Sequence, residues 1–447
     1  MSRRRIALGW SATITDKVVV AITQLVSVPL LSIHWGVELY GLWSMLFAVP
    51  SLLALGDFGF ASAATAQVTM EVARGNMSGA RAAYHGSLRI VVFFTAALFI
   101  FAGLACFLLP EAIWPNQAGF SPDDARMTAF AFCCYALLVV LGAMALVVFR
   151  STGAMALGTV INSFTLAAET TMIALIVLGG GGLAAAALGM LGARAGGVLV
   201  MGAIAWHRSP QLRPGLRKPD QSVTSALVPA AMAGMAITLG NTLLVQGSVL
   251  ALGLAAGAAA VPAFIAARTL ARLALQGAQT LALVLMPEFA AAMARGETQR
   301  ANTLVGAVAL VALLLSSPIA FALAIWGPEL IALWSGGALD AGRGLMIAMG
   351  LSALAGALWG PLSNLLLAIN RQGSFSYFFI LAAAIACLGI YGFSVRFGNV
   401  SAGVAFAALD LTMLAIVAVA IARICPNALR PSQLAAAAQL IILRIRR

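Results

Sequence analysis

Long apolar runs separated by short polar connections make up nearly the whole chain. A membrane-spanning helix needs about 20 predominantly apolar residues, and twelve segments reach that length. The first six lie near residues 10–33, 41–73, 87–109, 127–149, 154–178 and 183–205. The second six lie near 225–252, 261–294, 303–326, 342–369, 375–394 and 402–424. The pattern predicts an all-α integral membrane protein with about 12 transmembrane helices in two six-helix halves. The second and eighth segments run to about 33 residues, roughly 50 Å at about 1.5 Å per residue. That exceeds a hydrocarbon core of about 30 Å, so both must tilt, bend or project from the bilayer. Pro50, Gly56 and Gly59 give the second segment places to bend.

The connections carry an uneven charge. With a cytoplasmic N-terminus, the inner connections hold Arg74, Arg81, Arg89, Arg150, Arg208, Arg213, Arg217, Lys218, Arg295, Arg300 and Arg371, while the outer ones hold Arg126, Arg343 and Arg396 with five acids. This is the asymmetry of a multi-pass inner-membrane protein whose two termini are cytoplasmic. The basic start, MSRRRIALGW, reads as the flank of a retained first helix, because Asp16 and Lys17 interrupt the apolar stretch. The expected layout is an N-terminal lobe over 1–206, a cytoplasmic linker over 207–224, a C-terminal lobe over 225–424 and an interfacial tail over 425–447. The apolar and basic tail is expected to touch anionic lipids.

Three short matches mark an internal repeat. EVARGN (71–76) answers AMARGE (292–297) at an offset of 221, RSTGAM (150–155) answers NRQGSF (370–375) at 220, and PEAIW (110–114) answers PELIALW (328–334) at 218. Matches in order at one offset indicate duplication. With six spans per half, both halves face the same way, and a shared site is expected between them.

Composition narrows the function. The chain is 62% hydrophobic and 9% charged, against about 25% charged in soluble domains. The net charge of +12 is spread over short clusters, so it reads as membrane topology and not as a nucleic-acid surface. Cys106, Cys133, Cys134, Cys387 and Cys425 form no CxxC pair and have no histidine at metal-ligand spacing. His34, His85 and His207 are assigned to connections. No nucleotide-binding GxxxxGK[ST] run is present. These absences, with the short outer connections, argue for a transporter without a cofactor and against an enzyme.

Ionisable groups within membrane spans are costly and mark candidate sites. Arg268, Arg272, Gln276 and Gln279 share a stripe about 80° wide on the eighth span. They could form a cationic wall for a phosphate group. Alternatively, the two arginines pair permanently with Glu169 or Asp410. Arg194 in the sixth span could extend the cationic lining or belong to an ion pair of its own. Asp16 and Lys17 belong either to the site or to the inner interface. Asp57 sits in a GDFGF bend, as hinge, cap or ligand contact. Glu169 and Asp410 read as counter-ions or as carriers of H⁺ or Na⁺, and Glu288, after Pro287, as a cap or gate. The stripe is not duplicated, since the first half has Phe47 and Ser51 at the positions of the two arginines.

The stretch Val26–Ala63 has a proline in the first span, Tyr40-Gly41-Leu42-Trp43 and the Asp57-x-Gly59 bend. In these features it resembles the Wzx-type polysaccharide flippases. The twelve spans and the RxxG loop at Arg150 resemble the wider multidrug/oligosaccharidyl-lipid/polysaccharide (MOP) superfamily. The resemblance implies a V-shaped MATE-like transporter that moves a polyprenyl-diphosphate oligosaccharide to the outer leaflet. Polymerases and glycosyltransferases are its implied functional neighbours. It also implies a cationic central cavity to which Asp16, Lys17, Arg268 and Arg272 contribute. The inside-negative potential would drive two negative charges outward by about 4.6 kcal/mol per 100 mV, so coupling to H⁺ or Na⁺ need not be strong. The competing readings are an ion-coupled exporter of cationic drugs and, further off, a membrane polymerase or acyltransferase.

Overall fold

A computed structural model describes residues 3–53, 60–111, 114, 120–215, 235–428, 430, 432–433 and 435–439. The described residues are helical almost throughout. In chain order the helices are α1 Arg3–Leu53, α2 Phe60–Ala73, α3 Met77–Leu108, α4 Pro122–Ser151, α5 Met155–Leu178 and α6 Leu183–Arg208. They continue with α7 Met235–Ala256, α8 Val261–Ala294, α9 Thr298–Trp334, α10 Arg343–Ala368, α11 Ser376–Phe397 and α12 Asn399–Ile424. Among the described residues, ten helices are long and apolar enough to cross a membrane.

The first two expected spans are joined without a loop. The helix runs through residues 34–40 and breaks only at Gly36, where φ is 74° and ψ 177°. A glycine takes that backbone without a Cβ clash, and no neighbouring proline stops the helix from resuming. Beside the break, the Trp35 indole donates to the Gly181 carbonyl at 3.1 Å. Asp57, Gly56 and Gly59 lie outside the described residues, as do 216–224 of the linker. The eighth span is a single 34-residue helix with Pro287 inside it.

The chain divides into two compact units, Met1–Thr242 and Leu243–Arg447, a division that falls within α7. In the first unit α4 is the hub, packed by α1, α2, α3 and α6. Its core holds Tyr84, Phe132, Met144, Phe149 and Met201. In the second unit α10 is the hub, packed by α8, α9 and α12. Gly350 of α10 lets α9 approach so closely that a Cβ there would lie 2.7 Å from the Ala320 carbonyl oxygen.

The repeat shows in one turn built twice. After α2, Gly75 (φ 74°) lets Asn76 N–H reach the Glu71 carbonyl. After α8, Gly296 (φ 73°) lets Glu297 N–H reach the Ala292 carbonyl. The other two matches need correction. Gly153 and Asn370 are the left-handed residues after α4 and α10, with Ala154 bonded to Phe149 and Arg371 to Leu366. Turn geometry therefore pairs positions 217 apart, three residues out of register with the sequence match. Pro110 follows the end of α3, whereas Pro328 lies inside α9, which runs on to Trp334.

The histidines also differ from expectation, since all three lie in helices. His34 bonds back to the Leu30 carbonyl in α1, and His207 ends α6. His85 is buried in α3 and bonds the Arg213 carbonyl at 2.9 Å. Only Gly36 interrupts α1, α3 begins at Met77 just past the turn after Ala73, and α6 runs on to Arg208, so residues assigned to connections fall inside helices. Of the tail, Gln433 accepts a hydrogen bond from Thr303 of α9, and Ala437 is fully buried.

Candidate functional site

In the first unit, Glu169 of α5 and Arg194 of α6 form an ion pair, with Nε 2.5 Å from Oε1. Tyr135 of α4 closes the set. Its hydroxyl donates to Glu169 Oε2 at 3.0 Å and accepts from Arg194 Nη2 at 2.9 Å. The guanidinium also lies 5.1 Å from the centre of the Tyr135 ring. Glu169 is 1% exposed, so each charge relies on the others for solvation. The set is neutral as a whole. It ties three helices together and leaves Arg194 without a spare charge for a ligand.

An aromatic series runs from Arg194's neighbour toward the start of the chain. Tyr135 adjoins Phe47, Phe47 and Trp43 meet Phe132 edge-on, and Trp43 touches Trp35. The Tyr40–Trp43 motif is thus packing for the first unit. Phe47, the counterpart of Arg268, belongs to it. Asp16 accepts a hydrogen bond from Ser163 of α5 at 2.8 Å. Lys17 is exposed and makes no ion pair with it.

In the second unit the two arginines of the stripe play different parts. Arg268 is 9% exposed. Its Nη1 donates to the Val245 carbonyl at 2.6 Å and to Ser248 Oγ at 3.3 Å, and its guanidinium lies over Phe264 at 5.2 Å. Val245 sits in a π-helical stretch, Leu243–Gly247, within α7. Such a stretch disturbs the regular carbonyl ladder, and the guanidinium supplies a donor where lipid supplies none. Arg268 therefore fastens α8 to α7.

Arg272, one turn on, is half-buried. No hydrogen bond or ion pair within 4 Å joins its side chain to a described residue. The charge that acts on it is Asp410 of α12, from beyond direct contact. Asp410 is 8% exposed and is held by two neutral donors of α10. Ser352 Oγ donates to Oδ2 at 2.5 Å and Trp359 Nε1 to Oδ1 at 2.8 Å. Its negative charge is spread over these hydrogen bonds and makes no contact ion pair with the arginine. Gln279 lies against Gly360 of α10, where a Cβ would stand 3.5 Å from its Nε2. Gln276 is half-buried beside it. Glu288 stands apart, at the end of α8, 4.0 Å from Arg300.

No family model matches the sequence, and no curated protein sequence matches it. Solved structures do match. One is the inward-facing conformation of a multidrug resistance MATE family transporter of the MOP superfamily. It is 12% identical over 92% of this chain and 99% of that one, with a TM-score of 0.69. Another is the lipid II flippase MurJ in an inward closed conformation, 12% identical over 95% and 91%, with a TM-score of 0.72. An outward-facing MATE transporter of the same superfamily gives 13%, 93%, 97% and 0.57. The chain shares the fold of these structures. Identity this low establishes the fold alone.

Within that fold, sequence patterning had not singled out Tyr135, Ser163, Ser352 or Trp359. Ser352 and Trp359 are seven residues apart, two turns along one face of an apolar helix, and that spacing was a usable signal. A lone Tyr135 or Ser163 carries none, because either can sit unremarked in an apolar run.

Proposed function

We propose that the chain is a flippase that moves a polyprenyl-diphosphate-linked oligosaccharide from the inner to the outer leaflet by alternating access. The membrane is the bacterial cytoplasmic membrane, with both termini cytoplasmic, and the cargo serves cell-surface polysaccharide synthesis. Arg272 carries this reading. A central arginine in a membrane helix costs about 3 kcal/mol or more. Among the described residues neither a hydrogen bond nor a contact ion pair offsets that cost. A diphosphate, with its several anionic oxygens, is the ligand class whose geometry and charge a guanidinium fork matches. Gln276 and Gln279 add neutral donors for sugar hydroxyls. Arg268 supports the site by holding α8, and Asp410 of α12 is a nearby counter-charge. The likeness in fold to a lipid II flippase supports the same substrate class.

The test is transfer of a fluorescent lipid-diphosphate oligosaccharide between leaflets of vesicles containing the purified chain. Arg272→Gln should abolish transfer while the protein stays folded. Wild-type transfer by that variant would overturn the assignment.

A second reading, an ion-coupled multidrug exporter, draws on the MATE fold likeness and on a buried Asp410 that has no contact cation among the described residues. It requires binding of cationic dyes that competes with H⁺ or Na⁺ and is lost in Asp410→Asn.

A further inference from the structure

Helices α11 and α12 pack along each other at one side of the second unit. The groove between them opens into two adjoining cavities. One, of about 520 Å³, is lined by Ala386, Gly389, Phe393, Phe397, Val404 and Ala408. The other, of about 580 Å³, is lined by Arg371, Ser374, Phe378, Ile416, Val419 and Arg423. On both helices the lining residues recur every three or four positions from one cavity into the next, so each contributes one continuous face. From Val400 to Arg423 the groove is about 35 Å long at about 1.5 Å per residue, against a hydrocarbon core of about 30 Å.

Its two ends differ. Arg371 precedes α11 and Arg423 closes α12, so both stand at the same end. Both are exposed, and no hydrogen bond or ion pair joins either side chain to a described residue. Among the described residues no carboxylate lines either cavity. Above the arginines the walls are apolar. Phe378, Phe393, Phe397 and Val404 are each more than half exposed. Gly389 hollows the floor, and a Cβ added there would meet nothing within 4 Å.

Two cations without a partner among the described residues, at one end of a membrane-length apolar channel, match a molecule with an anionic phosphate at one end and a hydrocarbon chain behind it. Arginine binds phosphate oxygens through paired N–H donors, and basic residues at a membrane surface favour anionic head groups. We propose that the α11–α12 groove is a specific site for one anionic phospholipid, with its phosphodiester on Arg371 and Arg423 and an acyl chain along the channel past Gly389. The site is separate from Arg272 and does not depend on the transported cargo.

The experiment is native mass spectrometry of the full chain, titrated with phosphatidylglycerol or phosphatidylcholine. Three proteins are compared: wild type, Arg371→Gln/Arg423→Gln and Gly389→Leu. The wild type should retain one phosphatidylglycerol in preference to phosphatidylcholine. The double charge variant should bind about 30-fold more weakly, from about fivefold per basic residue. Gly389→Leu fills open space, so it should lose the lipid at an unchanged unfolding temperature. Equal retention of the two lipids, or wild-type retention by the charge variant, would overturn the site. Displacement by inorganic phosphate alone would mark a free-anion site. Displacement by polyprenyl phosphate at lower concentration would give the groove to the cargo. Either displacement overturns the phospholipid assignment.

Discussion

Replacing Arg194 by methionine tests the claim that the Tyr135–Glu169–Arg194 set is a structural closure and not a ligand site. The substitution keeps the length of the side chain and removes its charge. Among the described residues Glu169, 1% exposed, then keeps only the Tyr135 hydroxyl as a partner. With charge centres about 4 Å apart and an effective dielectric near 20, the lost attraction is about 4 kcal/mol. Removing one partner of a buried pair costs about 3–5 kcal/mol by the same logic, because the remaining charge stays desolvated. The double variant Arg194→Met/Glu169→Leu removes both charges and should recover most of that loss. Tyr135→Phe deletes a hydroxyl that both donates and accepts, at about 1–3 kcal/mol. Equilibrium unfolding of purified protein in mild detergent would rank the variants. The expected order is wild type, double variant, Tyr135→Phe, then Arg194→Met. A single Arg194→Met variant as stable as wild type, or a double variant less stable than either single, would refute the reasoning.

Arg268→Gln should lose about 1.5–3 kcal/mol, from its charged hydrogen bond to Val245, and Arg272→Gln should not; unfolding curves distinguish them. Gly350→Ala should cost about 1–3 kcal/mol through overpacking against the Ala320 carbonyl, read from the same curves. At the surface, Arg295 holds the Glu297 carboxyl below its usual range through a hydrogen bond. Because the folded value is the lower one, the pair stabilises at neutral pH. That contribution fades only as pH falls through the depressed value, and Glu297→Gln should flatten this acid-side slope in thermal unfolding.

The stripe of Arg268, Arg272, Gln276 and Gln279 was legible because helical spacing alone places four polar groups on one face. Their different partners were not. Arg268 meets a π-helical carbonyl on α7, and Arg272 feels an aspartate 138 positions away on α12, as separations along the chain carry no distance information. The same holds for Arg194, whose partner Glu169 lies 25 positions back on the preceding helix. The turn after α4 and α10 sits three residues out of register with the sequence match, because a short polar match carries less information than a left-handed backbone position.

Hydropathy by itself determined the membrane and the all-helical class. Lipid offers the backbone no hydrogen bonds, so long apolar runs have only the helix available. What each buried charge does was decided by tertiary packing. The cost of an ion in a low-dielectric interior depends on which groups reach it within a few ångströms. Those groups come from other helices: Tyr135 and Arg194 beside Glu169, Ser352 and Trp359 beside Asp410.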